Sequence, residues 1–313
     1  MTNNQSLIEI ETRTLAVNDR AGDLVNEYLN SLDVLPVTKC NYEKALKKFF
    51  LYVQEEGLKS IIRKDIIAYK NSLKNKMTPG SIQVYMSAIR SFFSFLQAEG
   101  IAPNMTSGIK SKVSTGNKRD FLRPEQVKTI LKECSLDTTP EGLRNKALIM
   151  LLVTTGLRTI EIERANIKDI QQSGSQKLLY IQGKGREGKD EFVVINDDTL
   201  LCLKDYLSTR PEIEENEPLF ISLSDRNRGG RLTTRSIRRI IKTIFKSVGL
   251  DSDKLTAHSL RHTAVTLVLK AGATIQQAQA MARHKNINTT MIYAHNIDRL
   301  ENAPENLIMN LLK

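Results

Sequence analysis

One stretch of the chain has the pattern of two paired β-strands, and it limits the fold more than any other feature. An apolar run at residues 178–181 is followed by a glycine-rich turn and then by a second apolar run at 192–195. Two short apolar runs joined in this way predict a β-hairpin. On both sides of it, apolar residues recur three and four positions apart, which is the spacing of helix faces. The sequence therefore predicts a mainly helical protein with a small β-sheet.

The first hundred residues contain four helical patterns. Their apolar faces cover residues 24–32, 42–53, 66–73 and 84–96. Thr78-Pro79 is a favourable start for the fourth, because threonine caps helices and proline is well tolerated at the first helical position. Short connections join the four patterns, so we predict a small all-helical domain over residues 20–106. The aromatic side chains on these faces indicate a core and not a ligand site.

A polar segment separates this domain from the rest of the chain. Residues 107–119 contain little apolar content, two glycines and an excess of basic side chains. Such a composition is typical of an exposed linker. Helical patterns and the hairpin follow it, which predicts a second domain over residues 120–313.

The chain is strongly basic, with a formal net charge of +11 at pH 7 and a sequence pI near 9.5. Much of the excess lies in two clusters, at residues 110–119 and 226–239. Such clusters suit a polyanionic partner, and nucleic acid is the commonest one. A basic surface that serves only solubility is the alternative from charge alone.

Composition also excludes several classes of protein. No run of eighteen apolar residues is present, and the N-terminus lacks the basic and apolar regions of a secretory signal. The three cysteines, Cys40, Cys134 and Cys202, lie far apart and have no metal-ligand spacing. Their odd number fits a reducing compartment. We therefore expect a cytoplasmic protein without membrane spans and without a clustered zinc site.

Three short motifs in the second domain carry residues that can act on a phosphate. TTGLR ends at Arg158, HSLRHT begins with His258, and RHKNINTTMIY ends at Tyr293. A lysine, Lys184, lies in the glycine-rich hairpin turn between the first two motifs. Each feature is weak when taken singly, since such residues are usually solvated or packed.

Taken together and in this order, the motifs resemble the tyrosine recombinase, or phage integrase, family of site-specific DNA recombinases. The resemblance spans roughly residues 121–300, and the chain is similar in size to the short, two-domain Xer type. It implies an N-terminal four-helix, SAM-like core-binding domain and an α+β catalytic domain. One position departs from the pattern: Arg283 stands where the family usually has a glycine before the histidine, and that glycine often permits a tight backbone passage.

The resemblance implies a catalytic set, which is Arg158, Lys184, His258, Arg261, His284 and Tyr293. Tyr293 would attack a DNA phosphodiester and form a 3′-phosphotyrosyl link with release of a 5′-hydroxyl. Arg158 and Arg261 would bind the phosphate, because a planar guanidinium can bond two of its oxygens at once. Lys184 would protonate the leaving oxygen. The resemblance implies no metal and no cofactor.

The histidines near these motifs receive different roles. The resemblance implies that His258 exchanges a proton with Tyr293 and that His284 forms a hydrogen bond to the phosphate. Both roles suit a side chain that titrates near neutrality. We expect His262 to support packing and His295 to be exposed.

The implied partner is double-stranded DNA with a specific core site, held in a clamp by the two domains. The candidate DNA contacts are Lys44, Arg90, Lys110, Lys112, Arg231, Arg235, Arg238 and Arg239.

The C-terminal segment, residues 300–313, has an apolar face formed by Leu307, Ile308, Leu311 and Leu312. It either packs on its own domain or, as the resemblance suggests, docks on a neighbouring protomer of a cyclic tetramer on DNA. An accessory directionality factor is a further expected partner.

Three functional classes stay open at this point, and the first of them, site-specific recombination, has two forms. A mobile-element integrase and a chromosome-dimer resolvase share all of these features. A type IB topoisomerase shares much of the site but relaxes DNA without site preference. A DNA-binding protein with a decayed site is the non-enzymatic alternative, and Arg283 is the only hint of it.

Overall fold

The fold is taken from a computed structural model that describes residues 15–16, 21–110, 120–183, 188–210 and 212–301. Contacts divide the chain into two compact units, Met1–Asn117 and Lys118–Lys313. This division falls inside the segment 107–119 that the composition indicates as a linker.

The N-terminal unit has the predicted four helices. They are α1 (Ala21–Ser31), α2 (Pro36–Glu55), α3 (Arg63–Ser72) and α4 (Pro79–Ala98). The hydroxyl of Thr78 accepts a hydrogen bond from the backbone N–H of Ser81 at 3.3 Å, so this threonine caps α4 as predicted. A two-residue antiparallel pairing of β1 (Leu15–Ala16) with β2 (Ser60–Ile61) was not predicted, because two residues give no recognisable period.

Aromatic side chains form much of the core of this unit. Tyr28, Phe49, Phe92 and Phe93 are each at most 1% exposed. The ring of Phe92 meets that of Tyr28 edge-on, with centroids 5.4 Å apart, and contacts Phe93 at 5.8 Å. This edge-to-face arrangement is favourable for aromatic rings. The aromatic stripes are therefore core, as the sequence indicated.

The beginning of the predicted linker differs from expectation. Ile109 is buried in the helical unit, and the side chains of Arg63, Lys70 and Arg90 donate hydrogen bonds to backbone carbonyls of residues 107–110. The prediction of an exposed segment from residue 107 onward is therefore wrong for Ile109, whereas Ser107, Gly108 and Lys110 are exposed. Composition indicated a polar segment, but it does not show that one apolar side chain packs on the helices or that basic side chains of the helices bond to the carbonyl groups.

The second unit is mainly helical and contains one three-stranded sheet. Its helices are α5 (Pro124–Cys134), α6 (Pro140–Thr155), α7 (Thr159–Arg164), α8 (Asp197–Leu207), α9 (Thr234–Ser247), α10 (Ala257–Lys270), α11 (Ile275–Ala282) and α12 (Ile287–Glu301). Its strands are β3 (Ile170–Ser173), β4 (Gln176–Ile181) and β5 (Glu191–Ile195), antiparallel in the order β3-β4-β5. The hairpin of β4 and β5 is the predicted one. Strand β3 was missed because it is largely exposed and has no apolar alternation.

Helix α6 lies at the centre of this unit. Its residues Leu148, Ile149, Leu151 and Leu152 are all fully buried, and it packs against α5, α8, α10 and β5. Thr155 and Gly156 at its C-terminus are also buried, so the helix ends inside the protein. The residues that follow α6 are consequently held against the core, and Arg158 is among them.

No helix in the described part of the chain is long and apolar enough to cross a membrane.

We predict that replacing Phe92 by alanine lowers the free energy of unfolding of the helical unit by about 3–5 kcal/mol, because the substitution leaves a cavity in a close-packed core. The matched control is Val84→Ala on the same helix, whose side chain is 46% exposed. Such a surface change should alter stability by about 0.5 kcal/mol or less. Urea unfolding of both variants measures the difference, and equal losses would contradict the assigned core.

Candidate active site

The turn between α6 and α7 places Arg158. Gly156 ends α6 in the left-handed conformation, with φ at 63°, which glycine adopts without steric cost. Leu157 is then buried in the core, and Arg158 caps the N-terminus of α7. The sequence TTGLR thus forms a helix end, a sharp turn and a buried anchor. Together they fix the backbone position from which the side chain of Arg158 extends.

A buried carboxylate orients Arg158. Glu161 is 0% exposed and accepts hydrogen bonds from the backbone N–H and from Nη1 of Arg158, both at 2.7 Å. Its second oxygen also accepts from Nη2 of Arg283 at 3.0 Å. One carboxylate therefore holds two guanidinium groups.

A further guanidinium is almost completely buried beside them. Arg261, on α10, is 2% exposed and donates from Nη1 to the carbonyl of Gly156 at 2.6 Å and from Nη2 to the carbonyl of Ala282. Burial, and then the charges of Arg158 and Arg283, lower the pKa of Arg261 to about 10, so it keeps its charge at pH 7. Arg261 joins the end of α6 to the end of α11.

His284 follows α11 directly and is half-buried. Its Nδ1 lies 2.9 Å from the hydroxyl of Thr290, a side chain that is fully buried. Burial is the main cause that lowers the pKa of His284 to about 4, and the charges of Arg261, Arg158 and Arg283 act in the same direction. His284 is therefore neutral at pH 7, which leaves one ring nitrogen protonated and able to donate.

The hydroxyl of Tyr293, on α12, is hydrogen-bonded to Nδ1 of His262. The ring of Tyr293 lies 5.2 Å from that of His262 and stacks on that of His284 with centroids 6.2 Å apart. His258 packs edge-on against His262, with ring centroids 4.7 Å apart. In this structure His262 contacts the hydroxyl through its Nδ1, which goes beyond the packing role expected for it.

One cavity is lined by Arg158, Arg283, His284 and Lys285, by the carboxylate of Glu191, and by Gly183, which is the last described residue before the gap in the hairpin turn. Lys184 lies outside the described residues, as do residues 185–187. Three guanidinium groups, those of Arg158, Arg261 and Arg283, lie near the one carboxylate of Glu161. This donor set suits an anion such as a phosphate, and it is a poor ligand set for a metal cation.

The predicted DNA contacts fall into two groups. Lys44 on α2 and Arg235, Arg238 and Arg239 on α9 are exposed, and Lys110 is exposed at the end of the helical unit. Lys112 lies outside the described residues.

Arg231 and Arg90 are engaged inside the fold. Arg231 donates to the carbonyls of Glu163 and Ala165 and to the side chain of Asn166, at 2.6 to 3.1 Å. Arg90 donates to the carbonyl of Ile109. Arg231 therefore joins the end of α7 to the segment before α9, and a contact of this residue with DNA stays a prediction. A cluster of arginines in a sequence does not show which member satisfies buried carbonyls.

Three residues of this site were missed from the sequence. The sequence does contain a signal for Glu161, because a glutamate three residues after a helix N-cap commonly accepts a hydrogen bond from the backbone N–H of the cap residue. His262 shares a helix face with His258 at i and i+4, so spacing alone does not decide which one meets Tyr293. Arg283 was noticed only as a departure from the family pattern.

Known proteins match the chain over both units. The model of the phage integrase family matches residues 120–299, and that of the phage integrase N-terminal SAM-like domain matches residues 25–100. The tyrosine recombinase XerC of Oceanobacillus iheyensis is 30% identical over 283 residues, which cover 87% of this chain and 90% of the relative. The tyrosine recombinase XerD of Listeria innocua is 27% identical over 87% of this chain and 94% of its own length.

A solved structure has the same fold. The XerH site-specific recombinase bound to a palindromic difH substrate superimposes with a TM-score of 0.72 at 23% identity, over 86% of this chain and 79% of that one.

The chain therefore belongs to the phage integrase family. Within that family it is a site-specific tyrosine recombinase, an enzyme that breaks and rejoins DNA.

We predict that His284 makes the stability of the protein depend on pH. Its pKa is about 4 in the folded chain and near its ordinary 6.5 in the unfolded chain, so only the unfolded state takes up this proton as the pH falls through 6.5. The contribution of neutral His284 to the free energy of unfolding is fully present above pH 6.5 and is lost progressively as the pH falls to about 4. Urea unfolding between pH 7 and pH 4 should therefore show a steeper loss for wild type than for His284→Gln, and parallel curves would contradict the assignment.

Proposed function

We propose that the chain cleaves and rejoins double-stranded DNA at a specific core site, with Tyr293 as the nucleophile. The observation that carries the proposal is the position of its hydroxyl, which is bonded to His262 beside a cluster of three arginines. A nucleophile next to a proton acceptor and a set of cations is the arrangement that attack on a phosphodiester requires.

The proton of Tyr293 would pass to His262. A phenol has an ordinary pKa near 10, so attack at neutral pH needs a base within hydrogen-bond reach. His262 Nδ1 accepts the proton as the phenolic oxygen forms its bond to phosphorus. His258, packed edge-on against His262, would orient this ring.

Arg158 and Arg261 would stabilise the negative charge that develops on the phosphate during attack. Preorganised donors in a site that excludes water are worth much more than the same donors in water. Of the five N–H donors of Arg261, two bond the carbonyls of Gly156 and Ala282, which holds the side chain in place and leaves further donors for phosphate oxygens. Neutral His284 would add one more donor.

The bond from phosphorus to the 5′-oxygen breaks as the bond to Tyr293 forms. We assign the protonation of this leaving oxygen to Lys184, which immediately follows Gly183 in the chain. Gly183 lines the cavity with Arg158 and His284, and this supports the assignment. The products are a 3′-phosphotyrosine and a free 5′-hydroxyl, so no external energy source is consumed.

The reverse reaction would complete recombination. A 5′-hydroxyl from a second duplex attacks the phosphotyrosine, phosphorus returns to a DNA oxygen, and the proton returns to Tyr293. Two such exchanges, one for each pair of strands, would proceed through a Holliday junction.

DNA would be gripped by both units. Arg235, Arg238 and Arg239 occupy the exposed side of α9, whose other side is buried through Ile237 and Ile241, so this helix presents a basic face. Lys44 and Lys110 would contribute from the helical unit, and Lys112 from the segment between the units. Arginine and lysine contacts of this kind bind phosphates and fix the register of the protein on the duplex.

A tetramer on DNA, joined through the C-terminal segment 300–313, completes the proposal. Residues 302–313, and with them Leu307, Ile308, Leu311 and Leu312, lie outside the described residues. An accessory directionality factor and a cytoplasmic, DNA-associated location belong to the same proposal. The matched relatives are named as recombinases, which favours recombination over relaxation of DNA by a topoisomerase.

We predict that Tyr293→Phe binds DNA as wild type does but forms no covalent adduct, because it lacks only the attacking oxygen. Both proteins are mixed with fragmented genomic DNA from the source organism, denatured with SDS, and the DNA that stays attached to protein is sequenced. Wild-type adducts at one short sequence would identify the core site. Adducts without sequence preference would favour a topoisomerase, and an undiminished adduct in Tyr293→Phe would remove Tyr293 as the nucleophile.

We further predict that His262→Ala slows adduct formation by about 10²–10⁴-fold, the usual contribution of a positioned base. The matched control is His258→Ala on the same helix, which should slow the reaction less because His258 acts through His262. Single-turnover rates on core-site DNA measure both effects. A larger loss in His258→Ala would return the proton transfer to His258.

A further inference from the structure

Among the described residues, Arg283 is the one non-glycine residue with a positive φ, at 53°. It ends α11, where its backbone N–H donates to Ala280 and that of His284 donates to Gln279, the pattern in which glycine is usual. A side chain is sterically unfavourable in this conformation. The backbone conformation therefore does not favour an arginine here, so the reason for this residue lies in the contacts of its side chain.

The side chain of Arg283 is 6% exposed, which is an unfavourable place for a charge unless it is paired. Its Nη2 donates to Glu161 at 3.0 Å and its Nη1 donates to the carbonyl of Met281 at 2.7 Å. Its Nε is buried and has no hydrogen-bond partner within the described ranges. Arg283 is therefore held in the site by Glu161 at a cost in both conformation and desolvation.

Glu161 is shared between Arg283 and Arg158. One oxygen of the carboxylate accepts from Nη1 of Arg158, and the other accepts from the backbone of Arg158 and from Arg283. With Arg158 alone, one negative charge would neutralise one positive charge. With Arg283 present, the three groups keep a net charge of +1, and Arg261 raises the charge of the cluster to +2.

We propose that Arg283 is a positioning residue for Arg158: by sharing the Glu161 carboxylate, it holds that carboxylate in place and leaves the group of Arg158, Glu161 and Arg283 with a net positive charge for phosphate. This inference rests on the proposed function, since it assigns a phosphate to the cavity that Arg158, Arg283 and His284 line. Without Arg283, Glu161 would hold Arg158 as a closed ion pair, and the transition state would meet a smaller positive charge.

The proposal is tested with Arg283→Gly and Arg283→Lys. Glycine removes the guanidinium and relieves the backbone, and Glu161 keeps its two hydrogen bonds from Arg158, so the variant should remain folded. Lysine keeps the charge and keeps the unfavourable backbone. Lys132→Ala, an exposed position on α5, is the control for losing one positive charge elsewhere.

Rates of adduct formation are measured in single turnovers on the core-site DNA found by covalent capture, together with DNA affinity and thermal stability. We expect Arg283→Gly to form the adduct about 10–100-fold more slowly, which is the range seen when a residue that orients a metal ligand is lost. DNA affinity should stay near that of wild type, as should all properties of Lys132→Ala. Arg283→Lys should recover most of the rate, although it should be the less stable variant.

Guanidinium ion added at low concentration should also accelerate Arg283→Gly, because the lost group leaves a space beside Glu161. It should not accelerate wild type or Arg283→Lys to the same extent.

Three outcomes would overturn the proposal. Arg283→Gly reacting at the wild-type rate would show that the guanidinium does nothing for catalysis. Rates that follow thermal stability, with lysine worse than glycine, would show a purely structural role. A wild type that forms no tyrosine-dependent adduct would overturn the proposed function itself and this inference with it, whereas the first two results leave the proposed function intact.

Discussion

A single buried carboxylate organises the cationic site of this recombinase. Glu161 has no exposed surface, and guanidinium groups from two distant parts of the sequence, Arg158 and Arg283, bond to it. A buried charge without such partners would be strongly destabilising, and so would the arginines without the carboxylate. The pairing therefore fixes α7 against the end of α11, and the cavity that Arg158, Arg283 and His284 line lies where these two ends meet.

The remaining site residues are positioned from the same two ends. Arg261 reaches from α10 to the carbonyl of Gly156 on one side and to that of Ala282 on the other, so its own placement depends on both helix ends. His284 follows α11 directly and stacks on Tyr293, whose hydroxyl meets His262. Residues more than a hundred positions apart are thus brought together by helix ends, which offer free carbonyl groups and abrupt changes of chain direction.

Much of the fold could be predicted from local pattern. Helical spacing, the Thr78-Pro79 start of α4 and the hairpin all follow from sequence, because each is decided by residues close together in the chain. The short pairing of β1 with β2, the exposed strand β3 and the packing of Ile109 could not, since they depend on distant partners. Family motifs indicated Arg158, Arg261, His284 and Tyr293, because each motif is a short stretch of sequence. The engagement of Arg231 inside the fold and the contact of His262 with Tyr293 depend on distant residues, so only the structure shows them.

The most direct test of this account identifies the residue that becomes bonded to DNA. Wild-type protein is trapped on core-site DNA with SDS, digested with nuclease and protease, and examined by mass spectrometry. The account predicts a nucleotide remnant on the phenolic oxygen of Tyr293, linked through a 3′-phosphate. A remnant on any other residue, or a link through a 5′-phosphate, would contradict it.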